Sequence, residues 1–231
     1  MGAQKSSRRQ HACGVTAPAA RPSWPAARGR VTPHVAALYI DPRGPYPALL
    51  GREACWDETR DARHYNGPLP VVSHPPCGAY SSLRHLAKQA LAHADCGPIA
   101  VEQVRRVGGV LEQPAGSKLW DACGLPKPGQ PADEHGGYSI EVTQVEWGHV
   151  ARKKTWLYLV RVPRSALRPP PFPGREPTHW VSGSRTAKRG PVPAGIKVCS
   201  AGQRRKTPPL FAEYLIHLAA SAAPNTKAEA A

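Results

Sequence analysis

The chain has 231 residues, with 31 Lys or Arg against 16 Asp or Glu, so its formal charge is +15. Its 27 Pro and 21 Gly follow no Gly-X-Y period, which excludes collagen. No apolar run approaches the ~18 residues that cross a bilayer, which points away from a transmembrane protein. Met1 is followed by basic residues but no apolar leader. The six cysteines (Cys13, Cys55, Cys77, Cys96, Cys123 and Cys199) include no Cys-x-x-Cys pair. Zinc knuckles and a secreted disulfide framework are therefore not expected, and the composition suits a reducing, cytoplasmic setting.

The charge is unevenly spread. Residues 1–30 carry +6, residues 31–151 carry −3, residues 152–206 carry +13 and residues 207–231 carry −1. A slightly acidic centre is thus flanked by basic segments. That asymmetry suits a polyanionic partner, most simply nucleic acid; a solvated basic surface is the plainer alternative.

In chain order, residues 1–33 have almost no large aliphatic side chains and read as a basic, irregular tail. A buried strand is expected over 35–40, ended by Asp41-Pro-Arg-Gly-Pro-Tyr-Pro47. Residues 56–63 read as one or two helical turns. A second strand over 69–73 stops at His74-Pro-Pro-Cys77. Helical character over 80–106 falls into two parts, 85–91 and 98–106, with Asp95-Cys-Gly-Pro98 as the break. A third strand, 108–112, stops at Gln113-Pro114, and a short helix over 117–123 has Gly124 as its C′ residue. Residues 138–145 alternate with period two as a strand, Trp147-Gly-His149 is a turn, and 155–162 is the most apolar strand. Residues 164–206 read as a long basic loop. Residues 207–220 form the clearest helix, with Thr207 as N-cap and Leu210, Phe211, Tyr214, Leu215 and Leu218 on one face. Residues 221–231 form a tail. Alternation followed by a late strand pair predicts an α/β fold over 34–163, mostly parallel with an antiparallel edge, closed by the helix at 207–220.

Ligands of open α/β sheets gather at the carboxyl ends of the strands. Three motifs fall there: Asp41-Pro-Arg-Gly44, His74-Pro-Pro-Cys77 and Glu112-Gln-Pro114. Plainer readings exist for each: Cys77 as a buried structural cysteine, Glu112 as a capping carboxylate, Asp41 as a turn former and His74 as a hydrogen-bonded scaffold residue.

Val72-Ser-His-Pro-Pro-Cys-Gly-Ala-Tyr-Ser81 resembles the Pro-Cys motif of DNA cytosine-C5 methyltransferases. Gly109-Val-Leu-Glu-Gln-Pro-Ala-Gly116 is similar to the Glu-Asn-Pro form found in phage-encoded members, with Gln113 in place of Asn. Trp147-Gly-His-Val-Ala-Arg-Lys-Lys-Thr-Trp-Leu-Tyr158 resembles the later basic motif, and Arg205-Lys-Thr-Pro-Pro-Leu-Phe-Ala-Glu-Tyr214 the final Thr-Pro helix. The matches come in family order across 69–218.

The resemblance implies a minimal Rossmann-like methyltransferase sheet acting on DNA. Cys77 would add to cytosine C6, held by Pro76 on a rigid turn, with His74 beside it. Glu112 would assist at N3 and the amino edge, and Arg152 would favour the thiolate. The implied cofactor is S-adenosyl-L-methionine. No glycine-rich loop matches the family's. If residues 35–40 are the first strand, Asp41-Pro-Arg-Gly44 replaces that loop. If they are the second, the favoured reading, Asp41 is the ribose acid and either Asp57 or Asp61 a candidate for the adenine. Lys153, Lys154, Arg185, Lys188, Arg189, Arg204 and Arg205 are the expected DNA contacts. Methylation of a base amino group, or a DNA-binding remnant of the same fold, remain as alternatives.

Overall fold

The structure is a computed structural model that describes residues 34–81, 91–181, 192 and 194–224. β1 (Ala36–Leu38) leads through a tight turn into α1 (Tyr46–Leu50). β2 (Cys55–Trp56), a 3-10 turn (Ala62–His64) and β3 (Val71–Ser73) follow. α2 (Cys96–Val107) precedes β4 (Gly109–Pro114) and α3 (Leu119–Ala122). β5 (Tyr138–Thr143), a 3-10 turn (Gln144–Trp147) and β6 (Lys154–Val160) complete the sheet. β7 (His179–Trp180) and β8 (Lys197–Val198) form a separate parallel pair. α4 (Ala201–Arg205) and α5 (Pro209–Ala220) close the described fold.

The six-stranded sheet has the order β2-β1-β3-β4-β6-β5. β2, β1, β3 and β4 are mutually parallel, while β6 runs antiparallel to both its neighbours. The expected α/β class, with a mostly parallel sheet and an antiparallel edge region, is therefore present. Period-two alternation divides the side chains between two faces. Ala37, Val72, Val110, Leu157 and Leu159 face α5, whose Phe211, Leu215 and Leu218 are fully buried. Ala36, Leu38, Val71, Leu111 and Tyr158 face the opposite layer, against Val101 and Val104 of α2 and Trp120 of α3. Each large aliphatic side chain so buried stabilises the fold by about 1.5–3 kcal/mol.

β4 can begin at Gly109 only because it is glycine. Its φ is +116°, and a Cβ there would lie 2.1 Å from the Val71 carbonyl oxygen. α5 is set by Pro209 at its first position and by the buried stripe of Phe211, Tyr214, Leu215 and Leu218. Trp147 stacks on Tyr214 with ring centroids 4.2 Å apart, fixing the turn after β5 to that helix.

Several expected elements differ. The helical turns expected over 56–63 are instead the end of β2 followed by the 3-10 turn. β2 is only two residues long, so no apolar run marks it; its ladder to Ala37 and Leu38 defines it. The break expected at 95–98 is the start of α2, where Pro98 in the first turn forfeits no intrahelical bond. The first part of the helical stretch, 85–91, falls almost wholly outside the described residues. The long loop expected over 164–206 contains β7, β8 and α4. α4 carries a Ser200/Gln203 capping box. Thr207 is not the N-cap of α5; Pro208 holds that position. Among the described residues, the strand at 36–38 is hydrogen-bonded on both sides, to β2 and β3, and the strand order reverses there.

Candidate active site

The loops after β1, β2 and β3 open at one edge of the sheet, and the chemistry-bearing residues collect there. The β1/β3 boundary is the topological switch point, since the chain leaves β1 towards β2 and leaves β3 towards β4. His74 follows β3 directly, its backbone N–H bonded to the Leu38 carbonyl at 3.0 Å. Its Nδ1 lies 3.0 Å from Glu112 Oε2 and its Nε2 2.6 Å from the Tyr46 hydroxyl. A carboxylate only accepts, so Nδ1–H donates to Glu112, and the phenol donates to Nε2. Burial, then the Glu112 charge, push the Tyr46 phenol well above its ordinary pKa, consistent with a donating phenol. The Tyr46–His74 bond thus joins the β1 and β3 loops across the switch point.

Pro75 is buried and Pro76 exposed. Gln113 Nε2 donates to the Pro75 carbonyl, and Ser117 Oγ donates to Gln113 Oε1 at 3.3 Å. Gln113, which stands where the resembled motif has Asn, therefore ties the end of β4 to the Pro-Pro turn. Cys77 closes that turn and starts a 3-10 turn (Gly78–Tyr80). It is exposed, unlike the buried Cys55, Cys96 and Cys199. Surrounding protein and then the Glu112 charge push its thiol up, while Lys153 and Arg205 pull the other way.

Glu112 is 8 % exposed and carries the densest set of contacts. Besides His74 it accepts from Gln144 Nε2 at 3.1 Å, and Lys153 Nζ lies 3.9 Å from Oε1. Gln144 Nε2 also donates to Thr155 Oγ1 at 2.9 Å. Burial alone would raise this carboxyl. The Lys153 ammonium and the His74 hydrogen bond outweigh it and hold the pKa at about 2.

Of the expected cations, Lys153 faces the site. Arg152 points elsewhere, in an exposed ion pair with Glu176 at 3.0 Å, and Lys154 pairs with Glu141 at 2.7 Å. Strand-like alternation sends 152 and 154 one way and 153 the other. Arg204 and Arg205 are exposed on α4. That helix is anchored by buried His149, whose Nε2–H donates to the Gln203 carbonyl at 3.0 Å while Nδ1 accepts from the Ala151 N–H. Arg185, Lys188 and Arg189 lie outside the described residues.

On the β1–β2 side, an open cleft of about 380 Å³ is lined by Asp41, Pro42, Arg43, Asp57, Glu58 and Thr59. Asp41 closes its own turn: Oδ1 accepts from the Arg43 N–H at 2.9 Å, and its carbonyl accepts from the Gly44 N–H at 2.8 Å. A Cβ at Gly44 would sit 2.9 Å from that carbonyl, so the turn requires glycine. Tyr39, just before it, holds a left-handed φ of 57°. Asp57 follows β2 and accepts from the Arg60 N–H at 3.0 Å.

Sequence reasoning brought together Cys77, His74 and Glu112, which the fold also brings together. It missed Tyr46, Gln144 and Thr155 and gave Lys153 to DNA contact. The available signal for Lys153 was its parity with Thr155 and Leu157 on the face of Glu112. No family model matches the chain, and no curated protein matches it.

Proposed function

We propose that the protein is a nucleobase-modifying enzyme that transfers a methyl group to cytosine C5 in DNA, on a Rossmann-like sheet. One observation carries this reading: an exposed thiol and a buried carboxylate stand at the carboxyl ends of adjacent parallel strands, β3 and β4, with the Lys153 ammonium 3.9 Å from the carboxylate. Cytosine C5 is a poor nucleophile. Addition of the Cys77 sulfur to C6, with a proton taken up at N3, converts the ring to an enamine that attacks through C5. Glu112 receives the 4-amino group and assists proton uptake at N3. Once C5 has gained its substituent, the C5 proton leaves to solvent, N3 gives its proton back through Glu112, and the S–C6 bond breaks, returning the Cys77 thiolate. The target base reaches this site only when flipped out of the duplex. Arg205 on α4, whose charge reaches Cys77, supplies positive charge there for the flanking phosphates.

S-adenosyl-L-methionine, the donor implied by the resemblance, supplies an electrophilic methyl group when bound. Two features of the cleft after β1 and β2 support its taking the nucleoside part: Asp57, which follows β2, lines it and offers a carboxylate for ribose hydroxyls, and its acidic lining suits a cationic ligand. Asp41 is occupied by its own turn. Pro42 and Pro45 offer no N–H, so the β1 loop gives little backbone cradle. The test is incubation of the full chain with duplex DNA and isotopically labelled S-adenosylmethionine. Label recovered as 5-methylcytosine is the expected result. Label on N4 of cytosine or N6 of adenine, retained in Cys77→Ser, would replace C5 chemistry with amino-group chemistry.

A further inference from the structure

We propose that His74 is a positioning residue through which Glu112 obtains the proton it delivers to the base, with Tyr46 holding the imidazole in line. This rests on the cytosine reading above. The geometry is a continuous chain across the switch point: Tyr46 hydroxyl to His74 Nε2 at 2.6 Å, and His74 Nδ1 to Glu112 Oε2 at 3.0 Å. The His74 side chain is 12 % exposed and that of Glu112 10 %, so the chain is largely shielded from water. Tyr46 is fully buried and its ring packs beside the imidazole with centroids 5.3 Å apart.

Glu112 alone is a poor proton source. Lys153 and the His74 hydrogen bond hold it as a carboxylate, and both its oxygens already accept contacts. An imidazole in contact with that carboxylate can carry the missing proton. The steps balance with no outside reagent but water. The exposed Cys77 thiol gives its proton to water and the imidazole takes one from water at Nε2, leaving a thiolate and an imidazolium. The thiolate forms the S–C6 bond, and ring N3 takes a proton from the imidazolium through Glu112. The net change is addition of S–H across C6 and N3. A phenol donates to a bare Nε2 and accepts from a protonated one, so Tyr46 serves both states. Facing the pair are Tyr46 from α1, Gln144 from the turn after β5, Lys153 just before β6 and Thr155 in it, with the Cys77 thiol feeling the charges of Glu112, Lys153 and, from α4, Arg205.

The enamine formed at C6 addition can also take a proton from solvent at C5, so cytosine H5 exchanges with water without any methyl donor. Exchange of tritium from C5-labelled duplex DNA, read against pH between about 6 and 9, is therefore the experiment. His74→Asn retains a donor near Glu112 but cannot carry the proton. It should lose exchange about 100-fold near neutrality. Its residual rate should climb with pH as the thiol ionises by itself, where the wild type is flat. His74→Asn within about threefold of wild type throughout, with an unchanged melting temperature, would overturn the relay. If that variant does not fold, Tyr46→Phe, which keeps the ring in place, is read the same way: an unaltered pH profile overturns the proposal. Wild-type protein that exchanges no tritium, with Cys77→Ser no different, would remove the cytosine reading itself and the relay with it.

Discussion

The two halves of the sheet edge are built differently. On the β3–β4–β6 side, His74, Glu112, Gln144, Lys153 and Thr155 form one largely shielded network beside the exposed Cys77. On the β1–β2 side, Asp41 is exposed and Asp57 half-buried, and their side-chain hydrogen bonds run to neighbours two or three residues away. A shielded network holds groups rigidly and couples their charges strongly; an open, locally closed loop offers a surface whose groups act nearly alone. The first half is suited to bond making and the second to holding a soluble ligand.

The largest expected effects lie on the shielded side. Replacing Glu112 by Ala leaves the Lys153 ammonium and the His74 Nδ1–H without their acceptor, and urea denaturation at pH 7 should show a loss of about 1–3 kcal/mol. Cys77→Ser, at an exposed position, should stay within about 0.5 kcal/mol of wild type in the same experiment while losing all exchange at C5. A fold destabilised by both, or by neither, would break the contrast between a networked carboxylate and an exposed thiol.

Acid titration sharpens it further. The Glu112 carboxyl lies at about 2 in the fold against an ordinary value of 4.5. Its contribution to stability is therefore complete above the ordinary value and lost as pH falls from about 4.5 to about 2. Stability measured across that window should fall less steeply in Glu112→Gln. Equal slopes would show that Glu112 is not held as a carboxylate by its neighbours.

The Cys77 thiol reports the same network with opposite signs for two partners. Glu112→Gln removes a negative charge and should shift the pH dependence of Cys77 alkylation downwards. Lys153→Met removes a positive one and should shift it upwards. Arg152→Met, in an exposed pair with Glu176, should leave it unchanged. The smallest effect belongs to the open side. Asp57→Asn should weaken S-adenosylmethionine binding by about tenfold in calorimetry, the size of one hydrogen bond to a charged group. Asp41→Asn should do less, since its carboxylate already serves its own turn.

The strands that carry the site were legible because each is an apolar run stopped by proline: β1 by Pro42, β3 by Pro75, and β4 reaching Pro114. α5 was legible from its apolar stripe. β2 was not, because two residues carry no periodicity and only the ladder to β1 defines them. α4 was hidden by the proline-rich stretch before it, although Ser200 and Gln203 stand at capping-box spacing. At the site, Cys77 and Glu112 could be paired because the motifs holding them end neighbouring strands. Tyr46 could not be added, since its approach to His74 depends on how the β1 loop crosses the switch point. Arg152 and Lys153 are adjacent in sequence and chemically alike. Only the phase of β6 relative to β4 decides which one faces Glu112.

The central claim, that Cys77 is the nucleophile of a cytosine site, is tested most directly by trapping. Duplex DNA of several sequences containing 5-fluorocytosine, incubated with the full chain and S-adenosylmethionine, cannot release the enzyme once C5 is substituted. A covalent protein–DNA adduct, mapped to Cys77 by mass spectrometry and absent in Cys77→Ser, is the expected result. Failure to form any Cys77-dependent adduct on every duplex supplied would contradict it.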